Sequence, residues 1–201
     1  MSFTIMSKTF FYAAAVCISL QANAQTTIPA AEIQIRTAVL AAPSEKQEGA
    51  KVYGYAADGT FKVLRNGSND LVCIADDPKK EDISVSCYHT DLDPFMERGR
   101  ILSKEGKNAK EIFDIRESEA KSKKLNLPKQ PSTLYVLSGT KDNYNAADGT
   151  LKNSYLRYVI YIPFATSEST GLPLKPDVAG MPWIMDPGTH RAHIMINPAK
   201  P

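Results

Sequence analysis

This chain carries little of the side-chain chemistry that marks an enzyme. Histidine occurs three times in 201 residues, cysteine three times and tryptophan once. There is no Gly-x-Ser-x-Gly elbow, no Gly-x-Gly-x-x-Gly loop and no P-loop, which removes the common signatures of serine hydrolases and of nucleotide binding. Neither charge is in excess. A net charge of +2 lacks the basic face that a nucleic-acid partner requires, so none is expected. Beyond residue 24 no apolar run approaches the ~20 residues of a membrane helix, and no membrane span is expected. Ser118-Glu-Ala-Lys121 has Ser-x-x-Lys spacing, but it falls on a polar helix face and reads as chance.

What is present begins with an export signal. Lys8 supplies a positive start, Phe10 to Leu20 an apolar run too short to span a bilayer, and Ala22-Asn23-Ala24 a small-x-small cleavage pattern. Residues 1–24 are therefore read as a cleaved signal peptide, with 25–201 as a single α+β domain in the periplasm or the medium. Cys17 lies within the apolar run, and Ala14-Ala-Val16 before it does not fit a lipoprotein signal. Loss of 24 residues leaves 177 and a net charge of +1, enough chain to bury about 70% of its unfolded surface. Cys73 and Cys87 survive cleavage. An even count in an oxidising compartment favours a disulfide between them over a catalytic or metal-bound thiol.

Periodicity and turn chemistry predict the elements. Ala30 to Ala42 reads as an N-terminal helix between two prolines. Lys51–Ala57 and Thr60–Arg65 alternate around Asp58-Gly59, a hairpin turn; Asn66-Gly67 reads as a second tight turn, leading to the Cys73 strand and then the Cys87 strand. This predicts an antiparallel meander. Asp93-Pro94 reads as a cap and first turn of a helix ending near Gly106, and Asn108 with Glu111 as a capping box opening a second helix to about Lys124. Glu117–Lys121 and Glu119–Lys123 are spaced as i,i+4 pairs. Strands are expected at 133–138, at 155–162 and at 191–196, with 155–162 central and covered on both faces. The fold class that follows is α+β: an antiparallel sheet of about five to seven strands, two helices inserted mid-chain and an N-terminal helix. Ala-Ala-Asp-Gly-Thr occurs at 56–60 and at 146–150, and reads as two similar turns, not a duplication.

Two stretches carry a resemblance. One is Phe61 to Asn69 with Asn66-Gly-Ser-Asn69, then Cys73, Asp76-Asp-Pro78 and Cys87; the other is Met181-Pro-Trp-Ile-Met-Asp-Pro-Gly-Thr-His-Arg-Ala-His-Ile-Met-Ile196. Together they resemble an uncharacterised family of secreted bacterial proteins with two spaced cysteines and a C-terminal Gly-Thr segment followed by a His and hydrophobics. The resemblance spans much of 60–196. It implies a secreted domain and no particular activity, and this chain has His190 where the family pattern has Pro.

Two kinds of site are weighed. A Zn²⁺ or Fe²⁺ centre would use His193, His190, His89 and a carboxylate such as Asp91, and would activate water for hydrolysis. Against it, His190 and His193 are three apart in a loop entering a strand, where such residues face opposite ways. His89 beside Asp91 and Asp93, with Glu97 one turn on, also permits proton transfer, although Asp93 is accounted for as a cap. The favoured alternative is a non-catalytic module that binds a small molecule or peptide, without a cofactor. Arg157, with Tyr155, Tyr158 and Tyr161 around it, would meet Arg191 and His193 if the last strand is its neighbour, forming an anion site. The bland readings are hydrogen-bonded structural histidines, an Arg157 that snorkels or pairs with a helix acid, and a Trp183 that anchors a loop.

Overall fold

The computed structural model describes Met1 and residues 27–200; the proposed signal peptide and Cys17 lie outside the described residues. The chain forms α1 (Ala31–Ala38), β1 (Lys51–Tyr55), β2 (Phe61–Arg65), β3 (Leu71–Ile74), β4 (Ile83–His89), α2 (Asp93–Lys104), α3 (Ala109–Lys121) and β5 (Ser132–Gly139). A short β6/β7 ribbon (Tyr144–Asn145, Thr150–Leu151) follows, then β8 (Tyr155–Tyr161), a one-turn α4 (Ser167–Thr170), β9 (Trp183–Met185) and β10 (His193–Ile196). No helix among the described residues is long and apolar enough to cross a membrane.

The α+β class and the placing of the helices are as expected, but the sheet is larger and mixed. Eight strands lie in the order β2-β1-β3-β4-β5-β8-β10-β9. The eighth is β9, three residues inside a stretch rich in Pro and Gly, held by pairing Ile184 with Ile194. The expected meander fails at residues 66–70. β3 does not return beside β2; it lies on the far side of β1 and runs parallel to it. The link crosses the entrance to β1, where the Ser68 and Asn69 N–H groups donate to Gly49 O and the Asn69 amide donates to Lys46 O. Gly67 therefore serves close approach, not a left-handed turn: a Cβ there would lie 2.6 Å from the Lys51 nitrogen. The two Ala-Ala-Asp-Gly-Thr segments are indeed similar turns, each with an Asp carboxylate accepting from a Thr N–H two residues on.

Alternation along the strands gives the sheet two apolar faces. Val52, Leu71, Cys73, Val85, Cys87 and Leu137 pack beneath Ala38, Ala41 and Ala42 of the N-terminal segment. Val72, Tyr88, Val159, Tyr161 and Met195 pack with Leu92, Phe95 and Leu125 on the other face. Cys73 and Cys87 are register partners with Cα atoms 4.0 Å apart, and they are disulfide-bonded. β8 is interior, between β5 and β10, yet only its second half is sealed: Val159 and Tyr161 are buried, whereas Tyr158 is 38% exposed.

The helices meet their expected ends with two changes of partner. Asn108 and Glu111 form the reciprocal capping box. Asp93 does not cap; its carboxylate accepts from the Tyr88 hydroxyl at 2.7 Å and from Arg100 at 3.3 Å. Glu119 turns away from Lys123 to take a forked hydrogen bond from Arg98, which joins α2 to α3. A guanidinium in two-pronged contact outcompetes a flexible ammonium for the same carboxylate. Gly99, within α2, leaves room for the Arg116 guanidinium of α3; a Cβ there would come within 3.0 Å of it.

Reducing the Cys73–Cys87 bond reopens a loop of 14 residues' separation and should cost about 3 kcal/mol. Urea unfolding with and without reductant measures this, and two free thiols in the unreduced, unfolded protein would show that the bond does not form.

Candidate functional site

The densest group of titratable side chains joins α3 to the loop before β10. Residues 186–192 leave β9 and turn back into β10, a reversal begun by Asp186 in a left-handed conformation, φ 52°. The Asp186 carboxylate accepts from Arg191 Nε at 2.6 Å across that loop. His190 is carried inward until its side chain is fully buried. There it lies against the edges of the Phe113 and Phe95 rings, 4.8 and 5.7 Å between centroids. One oxygen of Glu117 accepts both from the His190 backbone N–H at 2.8 Å and from ring Nδ1 at 2.6 Å; the other oxygen pairs with Lys121 at 2.7 Å.

Burial opposes the Glu117 charge, but the Lys121 ammonium and the two His190 donors outweigh it and draw the carboxyl down to about 2. His190 moves down from the ordinary histidine value, first through burial, with the Arg116 and Arg191 cations opposing a third positive charge. Its Nε2 is buried and has no protein partner, so a proton there would be a donor without an acceptor. The neutral ring with Nδ1–H directed to Glu117 is therefore the stable form. His193 is also lowered, chiefly by burial; its Nδ1–H donates to Arg191 O at 2.7 Å and its ring stacks on Tyr161 at 5.2 Å.

The proposed metal ligands do not assemble. His89 lies at the end of β4, its Nδ1 accepting from the Asp91 N–H and its Nε2 3.6 Å from Asp70. β4 is three strands from β10, about 14 Å at ordinary strand spacing. His190 is enclosed with Glu117, and among the described residues no three His, Cys, Asp or Glu side chains are placed to share an ion. Asp93 and Glu97 add nothing to His89, since Asp93 is taken by Tyr88 and Arg100.

The anion set is divided by register. β10 is the neighbour of β8, as expected, but His193 pairs with Tyr161 and Ile196 with Tyr158. Arg157 therefore stands four residues, about 13 Å, from the Tyr161–His193–Arg191 end. Its cross-strand partner on β5 is Val136; on the other side β10 ends at Ile196 opposite Tyr158, and that register continued by one residue sets Asn197 level with Arg157. Tyr155 stays near it, with Lys200 over its ring at 5.9 Å.

Six of the seven arginines have a visible occupation. Arg36 and Arg65 donate to backbone carbonyls, Arg98, Arg100 and Arg191 to carboxylates, and Arg116 to Phe95 O. Arg157, half-buried on an interior strand, donates to none of the described residues, and its Nε is buried without a partner. It has no helix acid. Trp183 Nε1 and Asn197 Oδ1 are buried and unpartnered as well. Trp183 pairs with Met195, two residues before Asn197, so all three orphaned groups belong to one corner of the sheet. Asn197 was not legible as a candidate, because its place depends on the β8–β10 register.

Comparison with known proteins finds no family model, curated protein or solved structure that this chain matches.

Glu117→Gln should destabilise the fold by roughly 1.5–3 kcal/mol at pH 7, the worth of hydrogen bonds to a charged acceptor, read by urea unfolding. The pH sign follows from the lowered histidines. His190 and His193 bind protons more readily once unfolded, so their contribution is complete above about pH 6.5 and is lost as pH falls. The urea midpoint should drop between pH 7.5 and 5, and His193→Gln should shallow that drop; an unchanged slope in this variant would show that its burial does not govern the titration.

Proposed function

We propose that this chain is an exported, non-catalytic binding module, cleaved after Ala24, whose small-molecule or peptide ligand brings an anionic group to Arg157. The observation that carries this reading is the missing partner. A half-buried guanidinium without hydrogen bonds is costly, and the other six arginines, on helices, an edge strand and a loop, each secure a carboxylate or carbonyl. A ligand carboxylate or phosphate satisfies it with paired, charge-assisted bonds. Tyr155, two residues before it on β8, offers apolar surface, and Lys200 lies over that ring at 5.9 Å. Trp183 Nε1 and Asn197 Oδ1 are, like Arg157 Nε, buried without a partner.

Export is supported by the signal-like N-terminus, by the disulfide and by the resemblance to secreted two-cysteine proteins. The Arg191–His193 end contributes structure instead of recognition, since its guanidinium and both buried rings already have partners or are sealed from solvent.

Trp183 is the sole tryptophan, so its fluorescence reports on this corner. Titration of the mature protein with acetate, succinate and phosphate should give a saturable change for at least one anion. Arg157→Ala should keep the wild-type circular dichroism and lose that response, and Arg157→Lys should bind at least tenfold more weakly for want of the forked geometry. An Arg157→Ala variant that binds as the parent does, or that fails to fold, would make the residue structural.

A further inference from the structure

Two shallow depressions meet at Phe164, at the opposite end of β8 from Arg157. One, of about 350 Å³, lies between residues 128–131 and 162–165; the other, of about 390 Å³, lies between 120–128 and the same turn. Pro128, Pro163 and Phe164 are common to both, so the phenyl ring is the ridge of one groove.

The backbone at that ridge is unusual for a phenylalanine. The Ala165 N–H donates to Ile162 O at 3.0 Å, closing a four-residue turn with Pro163 and Phe164 in the middle. Phe164 has φ 63°. Proline followed by positive φ is the type II arrangement, in which the third position suits glycine and a Cβ is strained. Burial of the ring does not compensate, because Phe164 remains 40% exposed. The turn is held by its surroundings: Phe164 N–H donates to Thr189 O and Gly188 N–H to Ala165 O, both at 2.7 Å.

Lys123, on the opposite wall, repeats the pattern. It follows the end of α3 with φ 60°, where helices ordinarily place glycine. Of four left-handed non-glycine residues among the described residues, two therefore face the same groove. Leu125, Leu127 and Ile162 give that groove an apolar lining, Lys123 and Lys129 give it positive charge, and no acidic residue lines it.

We infer that this groove is a second binding site, for an amphipathic carboxylate: a hydrocarbon or aryl body against Phe164 and the prolines, with its carboxylate toward Lys123 and Lys129. Strain held at an exposed ring and at an exposed cation has a use if both touch a ligand, and none if they only close a turn. The site is separate from Arg157, five residues and about 16 Å of strand from Ile162.

The test pairs stability with binding, using calorimetric titration of the mature protein with octanoate, and with 1-octanol and acetate as controls. In the Arg157→Ala background, where the first site is removed, octanoate should bind, octanol at least several-fold more weakly and acetate not measurably. Phe164→Gly should raise Tm by about 2–4 °C through relief of strain while weakening octanoate at least tenfold. Lys123→Gly should also raise Tm and weaken octanoate, and Arg157→Ala should leave octanoate binding intact. A lower Tm in Phe164→Gly would make the ring structural and overturn the inference. So would octanol binding as tightly as octanoate, unchanged octanoate affinity in Phe164→Gly, or octanoate affinity that disappears with Arg157.

Discussion

The Glu117 carboxylate is the joint on which the far end of this molecule depends. It holds His190 by backbone and ring together, so that one side chain of α3 positions the loop between β9 and β10. Through that loop it reaches further. Thr189 O receives Phe164 N–H, and Gly188 N–H reaches Ala165 O, so the turn after β8 takes its shape from a loop that Glu117 anchors. A part-buried charge-assisted bond of this kind is strong because its members have few alternatives: Glu117 has Lys121 and His190, and the neutral imidazole has a single proton directed at it. The aromatic enclosure of Phe95 and Phe113 keeps that proton in place.

Set beside this joint, Arg157 is informative by contrast. Each of the other arginines has at least one acceptor, although Arg116 Nε is left without one. Arg98 joins two helices, Arg100 completes a Tyr88–Asp93 cluster, and Arg116 crosses a helix interface through a gap that Gly99 leaves. Against that pattern, a half-buried guanidinium without a described partner stands out, and so does the corner it shares with Trp183 and Asn197. In the histidine-bearing loop, which attracts attention in the sequence, His190, Arg191 and His193 are engaged by Glu117, Asp186 and the Arg191 carbonyl.

Local features were legible in advance because their physics is local. The capping box at Asn108, the stop at Gly106, the hairpin at Asp58-Gly59 and the strand runs that became β4 and β8 rest on neighbours within a few residues. The disulfide was legible from cysteine parity and the expectation of export. The errors share another cause. Asp93 has the look of a cap, yet Tyr88 and Arg100 compete for it from other elements. Glu119 has a lysine at helical spacing, yet Arg98 arrives from the neighbouring helix. Asn66-Gly67 looks like a tight turn, but the β1 entrance beneath it makes the link a crossover.

By itself the sequence determined the α+β class, the order and ends of most elements, the cysteine pair, and Arg157 as a residue to question, since turn propensity, capping and alternation act over short spans. Tertiary structure alone decided that β3 runs parallel to β1, that His190 is sealed against Glu117, and that Arg157 is parted from Arg191 while Asn197 and Trp183 share its corner. Those outcomes depend on strand register, and register is a long-range quantity: a shift of one or two residues in how β10 meets β8 would rearrange every neighbour without changing any local signal.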